Sequence, residues 1–157
     1  MKQVKKSVLL FYSAQEMYDL VVGVPEYPRF LPWCDASEVV ALHPGDPARG
    51  STDGMTARIG LHYAGVRHAF TTRNEHVAGR SVHLQLVDGP FSRLEGSWRF
   101  FPLGGPQDAP ACRVEFELGY EFSSRPLEAV LSPVFDRVAN TFVESFVKRA
   151  GQVYGER

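Results

Sequence analysis

The chain has 157 residues, of which 44% are hydrophobic and 22% charged, and its net charge is -1. That is one ordinary domain with enough apolar material for a core. The near-neutral balance supplies no global drive toward DNA or an anionic membrane. Two distant cysteines, Cys34 and Cys112, form neither a metal-binding spacing nor a disulfide framework, and a reducing cytoplasm is their simplest setting. No apolar run approaches the ~20 residues of a membrane span. Lys2, Lys5 and Lys6 precede the apolar run Val8-Leu9-Leu10-Phe11, which is too short for a signal-peptide core. It reads as a strand.

Residues 3 to 12 form that first strand. Ser13 then opens a helix, with Glu16 at the capping-box position. Met17, Leu20 and Val21 make its apolar stripe, and Gly23-Val24-Pro25 stops it. Next comes Glu-Tyr-Pro-Arg-Phe-Leu-Pro-Trp-Cys at 26–34. Pro28 and Pro32 fix φ and push their predecessors away from helix. A stiff segment carrying Phe30, Leu31 and Trp33 is either a packed corner or a cap on a cavity. The expectation is a second short helix and its exit, closing a groove with Phe30 and Leu31 and anchored by Trp33. Residues 35 to 43 read as a strand and His43-Pro44-Gly45-Asp46-Pro47 as a loop.

From 51 to 122 the period is two. Ile59, Leu61 and Tyr63 alternate with Arg58, Gly60 and His62, and Ala64-Gly65 is a hairpin turn. Val66, His68, Phe70 and Thr72 share the face of Tyr63. The sets Val82-Leu84-Leu86, Leu94-Gly96-Trp98-Phe100 and Val114-Phe116-Leu118-Tyr120-Phe122 continue the pattern, separated by Ala78-Gly79, Asp88-Gly89-Pro90 and Gly104-Gly105-Pro106. Such alternation means an antiparallel sheet with one wet and one buried face. From Leu127 to about Tyr154 the apolar positions Leu131, Phe135, Val138, Phe142, Phe146 and Val153 recur at helical spacing, over roughly 40 Å at ~1.5 Å per residue. Pro133 either kinks this helix or begins it behind a Ser132 cap.

The predicted architecture is α+β in a single domain over 1–157. About seven antiparallel strands curve around one long C-terminal helix, with two short helices after strand 1. One helix about 10 Å wide cannot cover so wide a sheet. The space between them either fills with side chains or becomes a pocket.

Three pieces stand together: Phe30-Leu31-Pro32-Trp33-Cys34; Asp88-Gly89-Pro90-Phe91 followed by Leu94-Glu95-Gly96-Ser97-Trp98; and Phe142 through Arg149-Ala150 to Val153-Tyr154-Gly155. With Phe70-Thr71-Thr72-Arg73-Asn74 between them, the set resembles the coenzyme Q-binding START-like family of the polyketide cyclase/dehydrase superfamily, over roughly residues 3 to 154. The resemblance implies a helix-grip fold with an apolar cavity. It further implies binding of ubiquinone or another prenyl lipid as ligand rather than cofactor, in support of respiration, with transient membrane contact. For the bacterial branch it implies a toxin that binds the large ribosomal subunit and blocks subunit association. The chain shows no amphipathic, Arg-rich leader, so the expectation is a bacterial cytoplasmic member.

Three uses of these residues compete. In a lipid cavity the strands would contribute Ile59, Leu61, Tyr63, Phe70, Leu84, Leu86, Phe91, Trp98, Phe116, Leu118 and Tyr120. The helix would add Leu131, Phe135, Val138 and Phe142, with Phe30, Leu31 and Trp33 at one end. Plain core is the alternative for each. A quinone head needs hydrogen-bond donors, and parity points His68, Tyr63 and Tyr120 inward. Arg73 points outward. A cyclase or aromatase would need acid–base groups in the pocket. Glu95, Glu115, Glu117 and Glu121 fall outward, and His68 has no inward carboxylate partner, so neither catalytic residues nor a metal site are expected. Finally, outward Arg58, Arg67, Arg73, Arg80, Arg93 and Arg99 form either a solvated face of cross-strand ion pairs or a ribosomal contact.

Overall fold

The computed structural model describes residues 1–104 and 110–157. Its strands are β1 (Lys2–Leu10), β2 (Cys34–Pro44), β3 (Asp53–Tyr63), β4 (Val66–Val77), β5 (Ser81–Asp88), β6 (Phe91–Leu103) and β7 (Ala111–Phe122). Helix α1 (Ala14–Val22) and a 3₁₀ segment (Val24–Arg29) lie between β1 and β2, and α2 (Arg125–Tyr154) ends the chain. Gly105 and Pro106 of the expected turn lie outside the described residues. All strands are antiparallel in one sheet of order β1-β7-β6-β5-β4-β3-β2. The fold is α+β: a curved sheet wrapped on one long helix.

The alternation explains the sheet. Leu94, Trp98 and Phe100 on β6, and Val114, Phe116, Leu118, Tyr120 and Phe122 on β7, are all buried, while Arg93, Glu95 and Arg99 are exposed. Helix α2 lies along this face through its aromatic residues. Phe146 meets Trp98 at 5.1 Å between centroids, Phe142 meets Phe116 at 5.6 Å, and Phe135 meets Tyr120 at 4.8 Å.

The ends of both helices are fixed by polar groups. The Ser13 hydroxyl accepts from the Glu16 N–H, and Glu16 accepts in turn from the Ser13 N–H, completing the capping box. Arg157 grips the same Glu16 carboxylate through two guanidinium nitrogens, at 2.7 and 3.0 Å. Tyr154 donates to the Glu16 carbonyl at 2.9 Å, so the end of α2 is tied to the start of α1.

Three boundaries differ from the sequence reading. β1 stops at Leu10; Phe11 turns into solvent and Tyr12 turns in, donating to the Gly155 carbonyl. The second short helix is a 3₁₀ segment, the tighter form that suits a proline-rich stretch. Helix α2 begins behind Ser124, which accepts from the Leu127 N–H, and runs through Pro133. Ser132 is therefore no cap. Pro133 removes one helical hydrogen bond, to the Ala129 carbonyl, on the exposed side where water can replace it. Among the described residues no helix is long and apolar enough to cross a membrane.

β1 and α2 meet at a polar node. Asp136 accepts from Lys2 at 2.6 Å, from Tyr120 at 2.5 Å and from Ser132 at 3.1 Å. Burial alone would raise its pKa, but the hydrogen bonds from Lys2, Tyr120 and Ser132 outweigh it and hold the carboxyl below its ordinary value. A pKa lowered by folding adds stability above the unfolded value near ~4. That stability is lost as pH falls through the lower folded value. Asp136→Asn should therefore cost up to about 1 kcal/mol at neutral pH, a small effect because the Lys2 pair is partly exposed. Urea unfolding at pH ~7 and ~2.5 should show the gap to wild type closing at the acid end.

Candidate ligand cavity

The sheet's concave face and α2 enclose a cavity walled by every layer of the fold. β3 contributes Ala57 and Ile59; β4 contributes Phe70, Thr72, Asn74 and His76. Val82 and Leu84 come from β5, Leu94 and Trp98 from β6, and Phe116 and Leu118 from β7. α2 supplies Phe135, Val138, Ala139 and Phe142. Val21, Val24, Tyr27 and Trp33 close the end beneath α1 and the 3₁₀ segment. Strand register creates the rows: His76, Val82, Trp98 and Phe116 stand side by side across four strands.

The cavity holds water-sized molecules over only about 70 Å³, room for a few waters. At that volume a prenyl chain requires the aromatic wall to part. A smaller cavity of about 10 Å³ lies beyond Phe70 and Phe135, lined also by Leu61, His68, Pro90, Phe91, Phe122 and Leu131.

The expected lining residues thus divide. Trp33, Ile59, Phe70, Leu84, Trp98, Phe116, Leu118, Phe135, Val138 and Phe142 line the main cavity. Leu61, His68, Phe91 and Leu131 line the smaller one. Phe91 points in because the register shifts between it and Arg93, reversing the parity that β6 otherwise keeps.

Five residues line neither, and each needs correcting. Phe30 stacks edge-on against Tyr27 and Phe146, with the Arg149 guanidinium over its ring, on the outer side of the 3₁₀ segment. Leu31 is fully buried in the core, behind the cavity wall. The corner reading therefore holds for Phe30 and Leu31, while Tyr27 and Trp33 do the closing. Tyr63 is 37% exposed because it precedes the β3–β4 turn, beyond the cover of α2. Leu86 lies where β5 has parted from β6, whose pairing ends at Gln85. Tyr120 is buried, but its hydroxyl is committed to Asp136.

Polar chemistry in the cavity comes from elsewhere. Thr72, Asn74 and His76 form a buried row on β4. The Thr72 hydroxyl donates to Asn74 Oδ1 at 2.7 Å. His76 is 2% exposed, and its Nδ1 lies 3.3 Å from Asp53 Oδ2. His76 Nε2 and Trp33 Nε1 are both buried and have no partner among the described residues. Carrying the alternation two steps past Thr72 reaches Asn74 and His76, so the signal was in the sequence. The sequence expectation concerned His68 alone; His76 is a second inward histidine, and its carboxylate neighbour Asp53 is exposed. Tyr27 is the cavity's other titratable side chain among the described residues; its hydroxyl donates to the Val21 carbonyl, and burial pushes its pKa up. Burial followed by the Asp35 charge pushes the Cys34 thiol up to about 11, which leaves it unreactive at neutral pH.

On the convex face Arg67 pairs with Asp35 at 3.5 Å and Arg99 with Glu115 at 3.4 Å. Arg58, Arg73, Arg80 and Arg93 are exposed, with no carboxylate in ion-pair range among the described residues.

A curved sheet on one helix around an apolar cavity defines a START-like protein, and the family profile "Polyketide cyclase / dehydrase and lipid transport" matches residues 10–147. The chain belongs to that family. It is 40% identical to the ribosome association toxin RatA of Escherichia coli K12, over all of this chain and 92% of that one. It is 30% identical to the mitochondrial coenzyme Q-binding protein COQ10 homolog B of Xenopus laevis, over 97% of this chain and 59% of that protein. The 18 kDa protein CC1736 of Caulobacter crescentus is 31% identical and superposes with a TM-score of 0.72 over 99% of both chains. The Zhui aromatase/cyclase of Streptomyces shares the fold at 15% identity, with a TM-score of 0.75 over 99% of both chains.

Filling the cavity should separate binding from folding. Ala139→Leu adds apolar volume where open space is available, so stability should stay within about 1.5 kcal/mol of wild type. Uptake of a hydrophobic ligand should fall at least about tenfold, as a contact volume is lost. Thermal melts and ligand titration on the one variant check both halves.

Proposed function

We propose that the chain binds a hydrophobic small molecule, ubiquinone or a related prenyl lipid, in the sheet–helix cavity without transforming it, in support of respiration. The observation that carries this reading is an apolar cavity whose lining side chains His76 and Trp33 each carry a buried polar atom, Nε2 and Nε1, with no hydrogen-bond partner among the described residues. Ten buried prenyl carbons would contribute about 8 kcal/mol gross at ~0.8 per CH₂. Association consumes ~4–15 kcal/mol. Affinity therefore depends on a longer tail and on the head-group hydrogen bonds. Binding is favoured over catalysis because proton transfer needs an acid as well as a base. The indole N–H of Trp33 is far too weak an acid to serve in proton transfer, and the Tyr27 hydroxyl is already committed. The lipid is a ligand, not a cofactor. The protein, purified from its native host, should release a quinone or other prenyl lipid on solvent extraction, read by mass spectrometry. Empty extracts together with no saturable quinone titration would overturn the reading.

A second reading is favoured by two observations: similarity to a ribosome association toxin over all of this chain and 92% of that one, and convex-face arginines with no carboxylate in ion-pair range among the described residues. In it Arg58, Arg73, Arg80 and Arg93 contact the large ribosomal subunit, and the cavity face stays free for ligand. Such contacts weaken steeply with salt. Added protein should reduce the joined-ribosome peak in sucrose gradients, and changing these four arginines to Glu should abolish the effect. Unaltered subunit joining with wild-type protein rejects this role.

A further inference from the structure

We propose that the cavity selects the reduced, hydroxyl-bearing form of a quinone-type head group over the oxidised form. This rests on the ligand-binding reading above and extends it to the redox state of the ligand.

The neighbour of His76 sets its tautomer. In the β3–β4 register His76 stands opposite Asp53, whose side chain is 55% exposed. Asp53 Oδ2 lies 3.3 Å from His76 Nδ1. A carboxylate only accepts hydrogen bonds, so Nδ1 carries the proton. In a neutral imidazole the other nitrogen is then a bare acceptor. That nitrogen, Nε2, is buried on a side chain that lines the cavity and has no partner among the described residues. It requires a donor from whatever occupies the cavity. Trp33 Nε1–H is donor-only and requires an acceptor. The row's other side chains do not supply Nε2: Thr72 has spent its hydroxyl hydrogen on Asn74 Oδ1.

The cavity thus asks its occupant for a donor at His76 Nε2 and for acceptors at Trp33 Nε1–H and the Asn74 amide N–H. An oxidised quinone ring carries carbonyl and ether oxygens, all acceptors. It can meet Trp33, but it sets a lone pair against the lone pair of Nε2 in a site without room for many waters. A reduced ring carries hydroxyls, which donate to Nε2 and leave oxygen lone pairs for Trp33. The inward side chain two residues before Thr72 is Phe70, which with Phe135 borders both cavities. The apolar tail would run from the His76 end toward these two rings. No bond to the ligand forms or breaks; the selection is by hydrogen-bond complementarity alone.

The test is calorimetric titration of the full chain, without oxygen and at about pH 8, where an ordinary imidazole is neutral. The probes are a short-tailed ubiquinone and the same molecule reduced with dithionite. The reduced probe should bind about tenfold tighter, the worth of one buried hydrogen bond gained against a mismatch. Asp53→Asn offers Nδ1 an amide donor and so frees the tautomer. The preference should then fall to about twofold or reverse. His76→Phe removes the acceptor and should erase the preference as well. Equal affinity of the wild type for both probes overturns the inference while leaving quinone binding in place. An undiminished preference in Asp53→Asn overturns the assigned tautomer. No binding of either probe defeats the underlying functional reading itself.

Discussion

A mismatch of widths governs this molecule. Seven strands spaced ~4.8 Å apart make a sheet near 30 Å across, and one helix covers about 10 Å of it. The buried face cannot be satisfied by α2 alone. The sheet curves, α1 and the 3₁₀ segment roof one end, and large rings fill what remains. They do so in two clusters. Trp98, Phe116, Phe142 and Phe146, joined by Tyr27 and Trp33, pack at one end. Phe70, Phe91, Tyr120, Phe122 and Phe135 pack at the other. Between them stand smaller side chains, Ala57, Thr72, Asn74, Val138 and Ala139, and there the main cavity lies. The cavity is thus the gap between two aromatic plugs, not a hollow running the length of the fold.

Such an arrangement works only if helix and sheet keep their alignment, and polar contacts hold both ends. Lys2 and Tyr120 fix Asp136 near the start of α2, and Glu16 with Arg157 fixes its end. Each interaction joins residues far apart in sequence, so each acts on the packing of layers rather than on a local element. Among the described residues the side-chain hydrogen bonds of the middle of α2 stay within the helix, and apolar packing alone holds it to the sheet.

Most of this was legible because the period of two is physical: one buried face forces alternation, and a one-residue slip would expose it. Parity placed Trp98, Phe116, Leu118 and Leu84 correctly. It failed where strands depart from ideal pairing. Tyr63 obeys the alternation but sits past the edge of helix cover, and Leu86 sits past the end of its ladder. Phe91 points inward through a bulge that no pattern of alternation announces. Phe30 and Leu31 show a different limit. Two prolines define a stiff corner, but which of its rings face inward depends on how a 3₁₀ segment docks, and no periodicity records that. Asn74 and His76 were missed for a simpler reason: polar residues at inward positions look like the end of a strand when only apolar ones are followed.

Those overlooked residues bear on what the cavity is for. A buried donor or acceptor without a partner costs about 1–3 kcal/mol, a large fraction of the 5–15 kcal/mol that holds a domain folded. An apolar side chain at position 33 or 76 would remove that cost. Tyr27, Tyr120 and Thr72 show that the fold can satisfy buried polar groups internally, since each has found an acceptor. His76 Nε2 and Trp33 Nε1 have no partner among the described residues, and both belong to side chains that line the cavity. A void lined by hydrocarbon alone would select ligands by shape. One with a fixed acceptor and a fixed donor also selects by hydrogen-bond sense, and the exposed Asp53 carboxylate sets that sense through His76 Nδ1. On the proposal above, control of ligand choice would sit at the start of β3, on a side chain in contact with solvent.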